Sequence, residues 1–149
     1  MAVSFEISGL DIAIAHFNGM SQRAKNPKSV MAIVGAKAWR GVVDDNFRDE
    51  KDESGTRWQQ LAAPRRGKRH KGSHKLLQDT GFLRRSTGWK NSIDEAIVYN
   101  ACKYAGVHNY GYKKRNIPKR QFMYVNDKNM LYIMKTLTKY ITDGSFDVS

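Results

Sequence analysis

Cysteine and proline are scarce in this 149-residue sequence, which has one cysteine and three prolines. A single cysteine excludes an intrachain disulfide, so a disulfide-stabilised scaffold is ruled out. A chain of this length buries roughly two-thirds of its extended surface on folding, so it needs neither metal nor disulfide. With 40% hydrophobic and 11% aromatic residues, it has enough apolar material for one packed core. We expect a single domain spanning residues 1–149.

Long apolar runs are also missing. No stretch approaches the roughly 20 consecutive apolar residues that a membrane-spanning helix needs. The first residues lack the basic segment and the continuous apolar run of an export signal, and Glu6 and Asp11 interrupt them. We therefore expect no membrane contact and a soluble protein that is made in the cytoplasm.

Acidic residues are outnumbered, since 14 of them face 26 lysines and arginines, for a formal net charge of +12. Such a charge attracts anions, whether nucleic acid, anionic lipid or an acidic protein surface, and does not choose among them. Most of the excess lies between Pro64 and Lys90, where nine cations accompany only Asp79, and nine minus one gives +8.

The first part of this basic stretch, residues 64–74, has no apolar side chain and no periodicity. That composition predicts a mobile basic loop over residues 64–75. Its candidate partner-binding cations are Arg65, Arg66, Lys68, Arg69 and Lys71.

Amphipathic helices are predicted near both ends of the chain. After Ser8, Leu10, Ile14 and Phe17 recur at helical spacing, which predicts a first helix that ends near Arg23. Near the C-terminus, an asparagine cap and an apolar stripe predict a final helix, followed by a loose tail over 144–149. The cap is Asn126, and the stripe is Met130, Met134, Leu137 and Ile141.

The longest predicted helix begins at Asn26 and Pro27, with Asn26 as its cap and Pro27 at the first helical position. An acidic tract follows it, and negative charge opposes the dipole of a C-terminal turn, so the helix should end before Gly55. Its apolar positions are Val30, Met31, Val34, Ala38, Trp39, Val42, Val43 and Phe47.

Strand signals are short and scattered, and they mix with the helices along the chain. The predicted strands are Val3–Ile7, one that includes Leu83, 92–100 and 122–125, and short helices are predicted at 76–77 and 104–111. This order of elements predicts a single α+β domain. Its small antiparallel or mixed sheet is packed by two to four helices, and it carries the long basic loop.

Patterns that would bind a nucleotide or a metal are weak. Gly67 and Gly72 have the spacing of the two P-loop glycines, but Ser73 stands where that motif requires its phosphate-binding lysine. His70 and His74 are four residues apart, yet they lie among cations that repel a metal, and no third ligand is near. We therefore expect no metal and no cofactor.

Cys102 lies six residues before His108, and a thiol near an imidazole is a candidate nucleophile. No orienting Asn or Asp and no oxyanion motif accompany the pair, and the flanking residues indicate a packed thiol. The sequence therefore predicts that the protein is not an enzyme, and a hydrolase is the last-ranked alternative.

Aromatic and basic residues alternate after the predicted strand at 92–100. They are Tyr99, Lys103, Tyr104, Tyr110, Tyr112, Lys113, Lys114 and Arg115. Such segments bind single-stranded nucleic acid by stacking, although tyrosines of this kind are more often half-buried core or interface residues. No zinc finger or RNA-recognition motif is present. A DNA contact would then involve phosphates without sequence preference.

Four motif elements occur in a fixed order: Gly55–Leu61, Lys75–Ser86, Tyr104–Gly111 and Pro118–Phe122. They fit the successive patterns G-x-x-W-x-x-L, K-x-L-x-x-T-G-x-L-x-x-S, Y-A-x-x-H-x-x-G and P-x-R-x-F. From Phe47 to about Ile141 the sequence thus resembles the phage virion morphogenesis family. The resemblance implies tail completion or head-tail joining during virion assembly, with no catalysis and no cofactor.

The resemblance assigns structural roles to the matched positions. They are Trp58, Leu61, Leu77, Thr80, Gly81, Leu83, Tyr104, Ala105, His108, Gly111, Pro118 and Phe122. We expect Gly81 to supply a positive φ at a turn, and Trp58 and Leu61 to pack an irregular segment on the sheet. We expect the ring of His108 to donate to a backbone carbonyl, and Pro118 to set an extended entry to a strand.

The resemblance also implies phage tail or neck proteins as partners, with a homo-oligomeric ring in the assembled virion and a monomer in isolation. Assembly would take place in the bacterial host cytoplasm, and the protein would end in the tail or neck of the virion. The partner candidates outside the basic loop are Lys113, Lys114, Arg115 and Arg120. The alternative is a DNA-binding protein that uses the basic loop without sequence preference.

Overall fold

The structure is a computed structural model that describes residues 10–60 and 75–146. In chain order, its elements are α1 (Leu10–Lys25), α2 (Lys28–Arg40), a π-helical segment (Gly41–Asn46) with a last α-helical turn (Phe47–Asp49), α3 (Phe82–Arg85), β1 (Thr87–Asn91), β2 (Ala96–Asn100), α4 (Ala105–Tyr110), a 3-10 turn (Lys113–Arg115) and α5 (Asp127–Asp143). Helices and an antiparallel strand pair confirm the predicted α+β class. The predicted strand at Val3–Ile7 and residues 64–74 of the predicted basic loop lie outside the described residues.

The long helix predicted from Asn26 is present, with two differences. It begins at Lys28 with Pro27 in the cap position, so the predicted side-chain cap by Asn26 is wrong. The carbonyl of Asn26 instead accepts a hydrogen bond from the Tyr140 hydroxyl at 3.0 Å. Helical backbone then runs on through the π-helical segment, and it ends where Glu50 takes a left-handed φ of 50°, before Gly55 as predicted.

The sheet is a single hairpin among the described residues, and it packs on α2. Thr87 pairs with Asn100 and Asn91 with Ala96 in an antiparallel register. The indole Nε1 of Trp39 on α2 donates to the Thr87 carbonyl at 2.8 Å. The strand predicted over 92–100 therefore starts only at Ala96, because residues 92–95 form the turn.

The predicted strand at Leu83 and the predicted helix at 76–77 are both wrong. Leu83 is a buried residue of α3, and Leu76 and Leu77 lie in a turn. Leu77 has a φ of 60°, a left-handed conformation that a helix excludes. The spacing of these leucines fits a buried irregular connection as well as it fits a helix or strand.

The predicted strand at 122–125 is absent, because two buried asparagine side chains replace a neighbouring strand. Asn109 Oδ1 accepts hydrogen bonds from the N–H groups of Phe122 and Met123 at 3.0 and 2.9 Å. Asn46 Nδ2 donates to the carbonyls of Phe122 and Tyr124, both at 2.8 Å. Buried backbone groups must be paired, and here the two side chains pair them.

The core gathers around this segment. It consists of Val42, Phe47, Trp58, Leu76, Leu83, Cys102, Ala105 and Phe122. The ring of Phe47 lies 6.1 Å from that of Trp58 in an edge-to-face arrangement and 5.2 Å from that of Phe122. These ring contacts join the end of the long helix to Trp58 and to Phe122. Phe122 follows Phe47 by more than 70 positions in the sequence.

Helix α5 has the predicted cap but buries an unexpected face. Asn126 Oδ1 accepts from the N–H of Asn129 at 2.9 Å, which confirms the cap. Of the apolar stripe that predicted this helix, Met130 and Met134 are exposed. The buried residues of α5 are instead Asn129, Ile133 and Thr136.

In helix α1 the apolar residues that predicted the helix are exposed, and none of its residues is buried. Its C-terminal end is tied to α5 by Arg23, which donates to the carbonyls of Ile141 and Thr142. Beyond α5, Phe146 stacks on Tyr140 at 5.4 Å between ring centroids. The loose tail over 144–149 stays a prediction, and 147–149 lie outside the described residues.

Substitution of Asn46 by leucine tests the role of the buried asparagines. It leaves the carbonyls of Phe122 and Tyr124 without a donor, and an unpaired buried polar group costs about 1–3 kcal/mol. We expect the free energy of unfolding in urea to fall by about 2–4 kcal/mol for the two carbonyls. Asn18→Leu, on the exposed surface of α1, should change it by less than about 0.5 kcal/mol. Equal stability of the two variants would contradict this role.

Candidate assembly surfaces

The first motif element forms a tight loop that ends in a buried tryptophan. Asp52 Oδ1 accepts from the N–H of Thr56 at 2.9 Å, which closes the loop. Trp58 is 3% exposed, and its Nε1 donates to the carbonyl of Gln121 at 3.0 Å. Trp58 therefore packs on Phe47 and the segment at Gln121. Leu61 lies outside the described residues.

The second motif element is fixed to the end of the long helix. The N–H of Leu76 donates to Glu50 Oε1 at 2.7 Å. The side chain of Gln78 donates from Nε2 to the carbonyl of Phe47 at 2.8 Å. These bonds satisfy groups that the helix end leaves unpaired, so the element ends the helix and holds its own irregular backbone in place.

The same element starts α3. Thr80 Oγ1 accepts from the N–H of Phe82 at 3.3 Å. Gly81 has a φ of 69°, the positive value that the sequence predicted for it. Leu83 then enters the core. The motif thus encodes a sharp reversal that leads from the helix end into the hairpin.

The third motif element is α4 and the glycine that ends it. Ala105 and Asn109 are its buried residues. Gly111 has a φ of 79° and a ψ of 165°, a region that only glycine occupies readily. A Cβ at Gly111 would stand 2.9 Å from the backbone N of Lys119. Glycine is therefore required both by the backbone conformation and by the close approach of the fourth element.

His108 has an unsatisfied ring nitrogen. Its Nδ1 is buried and has no hydrogen-bond partner among the described residues, so the predicted donation to a carbonyl is not seen from that atom. The ring packs edge-to-face against Tyr104 at 5.7 Å. Burial, and then the nearby charge of Arg120, lower the pKa of His108 below its ordinary value. The neutral imidazole is therefore the form that the fold accommodates.

Arg120 is a buried structural residue, which corrects its prediction as a partner-binding cation. It is 5% exposed, and its Nε donates to the carbonyl of Gln59 at 2.9 Å. Its N–H donates to the carbonyl of His108 at 2.8 Å. Burial lowers the pKa of Arg120, yet arginine stays protonated in proteins. The fourth motif element thus joins the first and the third.

The remaining predicted cations outside the basic loop are on the surface. Lys113, Lys114 and Arg115 form the 3-10 turn of a tight hairpin that is closed by two hydrogen bonds between Tyr112 and Ile117, of 2.8 and 3.1 Å. All three side chains are exposed, and none forms an ion pair with another described residue. The cations Arg65, Arg66, Lys68, Arg69 and Lys71 lie outside the described residues.

The stretch of sequence that contains this hairpin has no acidic residue. From Ala96 to Asn126 the sequence has six lysines and arginines and no aspartate or glutamate. Tyr110 is 78% exposed, and Tyr112 is also exposed beside the cations. We call Tyr110, Tyr112, Lys113, Lys114 and Arg115 the basic hairpin surface.

An acidic region lies at the end of the long helix. It consists of Asp44, Asp45, Asp49, Glu50, Asp52 and Glu53. Arg48 bridges Asp45 and Asp49, and Arg84 bridges Asp44, so the three aspartates are partly neutralised. Hydrogen bonds from the Ser54 side chain and from backbone N–H groups lower the pKa of Asp52. The acidic side chains of this region therefore mainly form ion pairs and hydrogen bonds within the chain, at the end of the long helix.

The proposed nucleophile pair is poorly placed for catalysis. Cys102 is a core residue that is 5% exposed, consistent with the predicted packed thiol. A hydrogen bond with Cys102 raises the pKa of the Tyr104 hydroxyl. Within the described ranges, no group of three or more His, Cys, Asp or Glu side chains is arranged to hold a metal ion.

Comparison with known families identifies the chain. A model of the phage virion morphogenesis family matches residues 13–142. The chain belongs to this family. The match confirms the resemblance seen from Phe47 to Ile141 and extends it through α2 and most of α1. The family is one of phage virion morphogenesis.

Other similarities are limited. An uncharacterized protein of Methanocaldococcus jannaschii is 33% identical over 87 residues, which cover 54% of this chain and 64% of that protein. The chain thus matches less than two thirds of that relative's length. No solved structure shows significant similarity to this chain. Over residues 10–60 and 75–146, none of the helices has the length and apolarity to cross a bilayer.

Replacing Gly111 by alanine tests the third motif element. The alanine must adopt a φ of 79° and meet the backbone of Lys119, so we expect a loss of about 1–3 kcal/mol in unfolding free energy. The matched control is Gly106→Ala in α4, where a Cβ has open space; it should be neutral or stabilise by up to about 1 kcal/mol. A Gly111 variant as stable as the Gly106 variant would refute the argument.

The stability of the fold should depend on pH through His108. Because its folded-state pKa is lowered, its protonation favours the unfolded chain, whose histidine has a pKa of about 6.5. Its stabilising contribution is complete above that pH and is lost as the pH falls below it. His108→Gln should flatten the decline of the urea midpoint between about pH 7 and 5. His16→Gln, on exposed α1, should keep the decline; a decline unchanged in the His108 variant would count against this.

Proposed function

We propose that this chain is a structural subunit that completes the phage tail or joins head to tail, as a ring at the tail end or the neck. The observation that carries the proposal is the basic hairpin surface, which the motif residues hold rigidly and which has no internal ion pair among the described residues. It would act in the bacterial host cytoplasm during assembly and remain in the tail or neck of the virion.

The motif residues support this proposal by what they build. Trp58 and Arg120 each donate a hydrogen bond to a backbone segment that is distant in sequence. Gly111 lies close to the backbone of Lys119. Together they fix the two ends of the basic hairpin, at Gly111 and at Lys119. A rigid platform of this kind presents a charged surface at low entropic cost to a partner.

The charge of the hairpin indicates the kind of partner. Exposed cations that form no ion pair with another described residue increase the rate of association with an acidic protein surface and fix the orientation of the encounter. We propose that the basic hairpin surface, together with the cations at 65–71, meets an acidic rim of a tail or neck protein. Cys102 is buried in the core, which supports a role without catalysis.

DNA binding is the second candidate, because Tyr110 and Tyr112 are exposed next to Lys113. Bases of single strands stack on such aromatic rings while cations bind phosphates. Binding of this kind weakens steeply with salt. Gel shifts with single-stranded and duplex DNA at several salt concentrations separate the candidates. Loss of all binding at physiological salt, with tail binding retained, favours the assembly role.

The direct test reverses the charge of the hairpin by replacing Lys113, Lys114 and Arg115 with glutamate. All three residues are exposed, so we expect a folded protein that no longer supports virion formation when it complements a phage lacking the gene. Electron microscopy should then show separate heads and tails. Plaque counts should fall by at least about tenfold if the contact contributes more than about 1.4 kcal/mol.

A matched control carries the same change of charge elsewhere. Lys25, Lys28 and Arg40 are exposed residues of α1 and α2, and their triple glutamate variant should complement nearly as well as the wild-type chain. Full complementation by the hairpin variant would contradict the proposed docking surface. Normal virions from the phage lacking the gene would contradict the assembly role itself.

A further inference from the structure

Helix α1 has an apolar face that the residues described by the structure do not cover. Leu10, Ile14 and Phe17 lie one turn apart on it and are 49–65% exposed, and none of the 16 residues of α1 is buried. A helix of this length is marginal in water unless an apolar face packs against something. The contacts of Arg23 with α5 hold only its C-terminal end. The rest of α1 therefore requires another surface.

Helix α5 departs from the usual amphipathic arrangement. It buries two polar residues, Asn129 and Thr136, beside Ile133, and it exposes Met130, Leu131 and Met134 to between 46% and 59%. A surface helix ordinarily directs its apolar stripe to the core and its polar residues to solvent. An exposed apolar face of this kind marks a site of contact with another molecule.

The two faces fit each other. Leu10, Ile14 and Phe17 form one row at four- and three-residue spacing, and Met130, Met134 and Leu137 form a row with the same spacing. Rows of this kind interlock when two helices pack. The only charged residues within these stretches are Asp11 on α1 and Lys135 on α5, which are exposed and opposite in sign. The net charge of +12 therefore does not oppose contact here.

The exposed apolar area on each face is modest. Each face contributes three exposed side chains, which are Leu10, Ile14 and Phe17 on α1 and Met130, Leu131 and Met134 on α5. If roughly 100 Å² is exposed on each, each copy offers on the order of 300 Å², against the ~800 Å² that each partner contributes to a stable interface. Polar residues at the margin of the contact would supply the remainder.

We propose that α1 of one copy packs on the outer face of α5 of a second copy. Both faces belong to the same chain and both are exposed in it, so each copy offers one face to a neighbour on either side. Such a contact joins unlike surfaces, and repetition of it gives a closed ring if the rotation closes. This contact would supply the surfaces between neighbouring copies in the proposed ring. The contact itself does not depend on the proposed function; only its use in the virion rests on it.

Sedimentation equilibrium on the full chain over a range of concentrations tests the contact. We expect the average mass of the wild-type chain to rise above 17.0 kDa with concentration. Phe17→Asp and Met134→Asp should each stay at 17.0 kDa, with circular dichroism and thermal melting like the wild type, because both side chains are exposed. Ile93→Asp also replaces an exposed apolar residue by aspartate, in the turn between β1 and β2. This variant should associate like the wild type.

Mixing the two variants gives the sharpest result. The Met134 variant retains an intact α1, and the Phe17 variant retains an intact α5, so one contact can form between them. The mass of an equal mixture should rise to that of a dimer and no further. A wild-type chain that stays at 17.0 kDa, or a single variant that associates alone, would overturn the proposal.

Other occupants give different outcomes. If residues 1–9 of the same chain covered α1, Phe17→Asp would lower the melting temperature without any change in mass, and the proposal would be overturned. If the contact forms in solution but both variants still complement a phage lacking the gene, its use in the virion is refuted. Failure of the proposed function appears separately, as normal virions from the phage that lacks the gene.

Discussion

The fold depends on how the buried backbone at Phe122 is satisfied. This segment lies in the core, and buried N–H and carbonyl groups must find partners. Asn109 accepts from two of its N–H groups, and Asn46 donates to two of its carbonyls. One asparagine belongs to α4 and the other to the long helix, so both elements are fixed to the segment that leads into α5. Phe122 is thereby held against Phe47, and the motif residues assemble around this pair.

A second polar contact decides which face of α5 is buried. Asn129 sits against Gly41, where any Cβ would collide with its side-chain nitrogen, and it donates to Asp45 at 2.8 Å. Gly41 opens the π-helical segment, and π-helical turns often mark functional sites. Because Asn129 is the residue that packs against the long helix, the face of α5 that carries Met130 and Met134 is exposed. The face available for assembly is thus a consequence of core packing.

Local features could be predicted from the sequence, and features that depend on distant partners could not. The cap at Asn126 and the glycine conformation at Gly81 follow from neighbouring residues. The strand predicted at 122–125 failed because its hydrogen-bond partner Asn46 lies 76 positions away from Phe122. Arg120 was predicted on the surface for a similar reason, since the carbonyl that it binds is 61 positions away. For the same reason, helical spacing identified the apolar faces of α1 and α5 but did not show whether those faces are buried or exposed.

A reconstruction by electron cryomicroscopy of virions from the phage that encodes this chain would test the account most directly. The account predicts a ring of copies at the tail end or the neck. Each ring contact would place α1 of one copy on α5 of the next, and the basic hairpin surface would face an acidic neighbour. Virions with no copy of the chain at the tail end or the neck would contradict it, as would copies that are present but have both helix faces exposed to solvent.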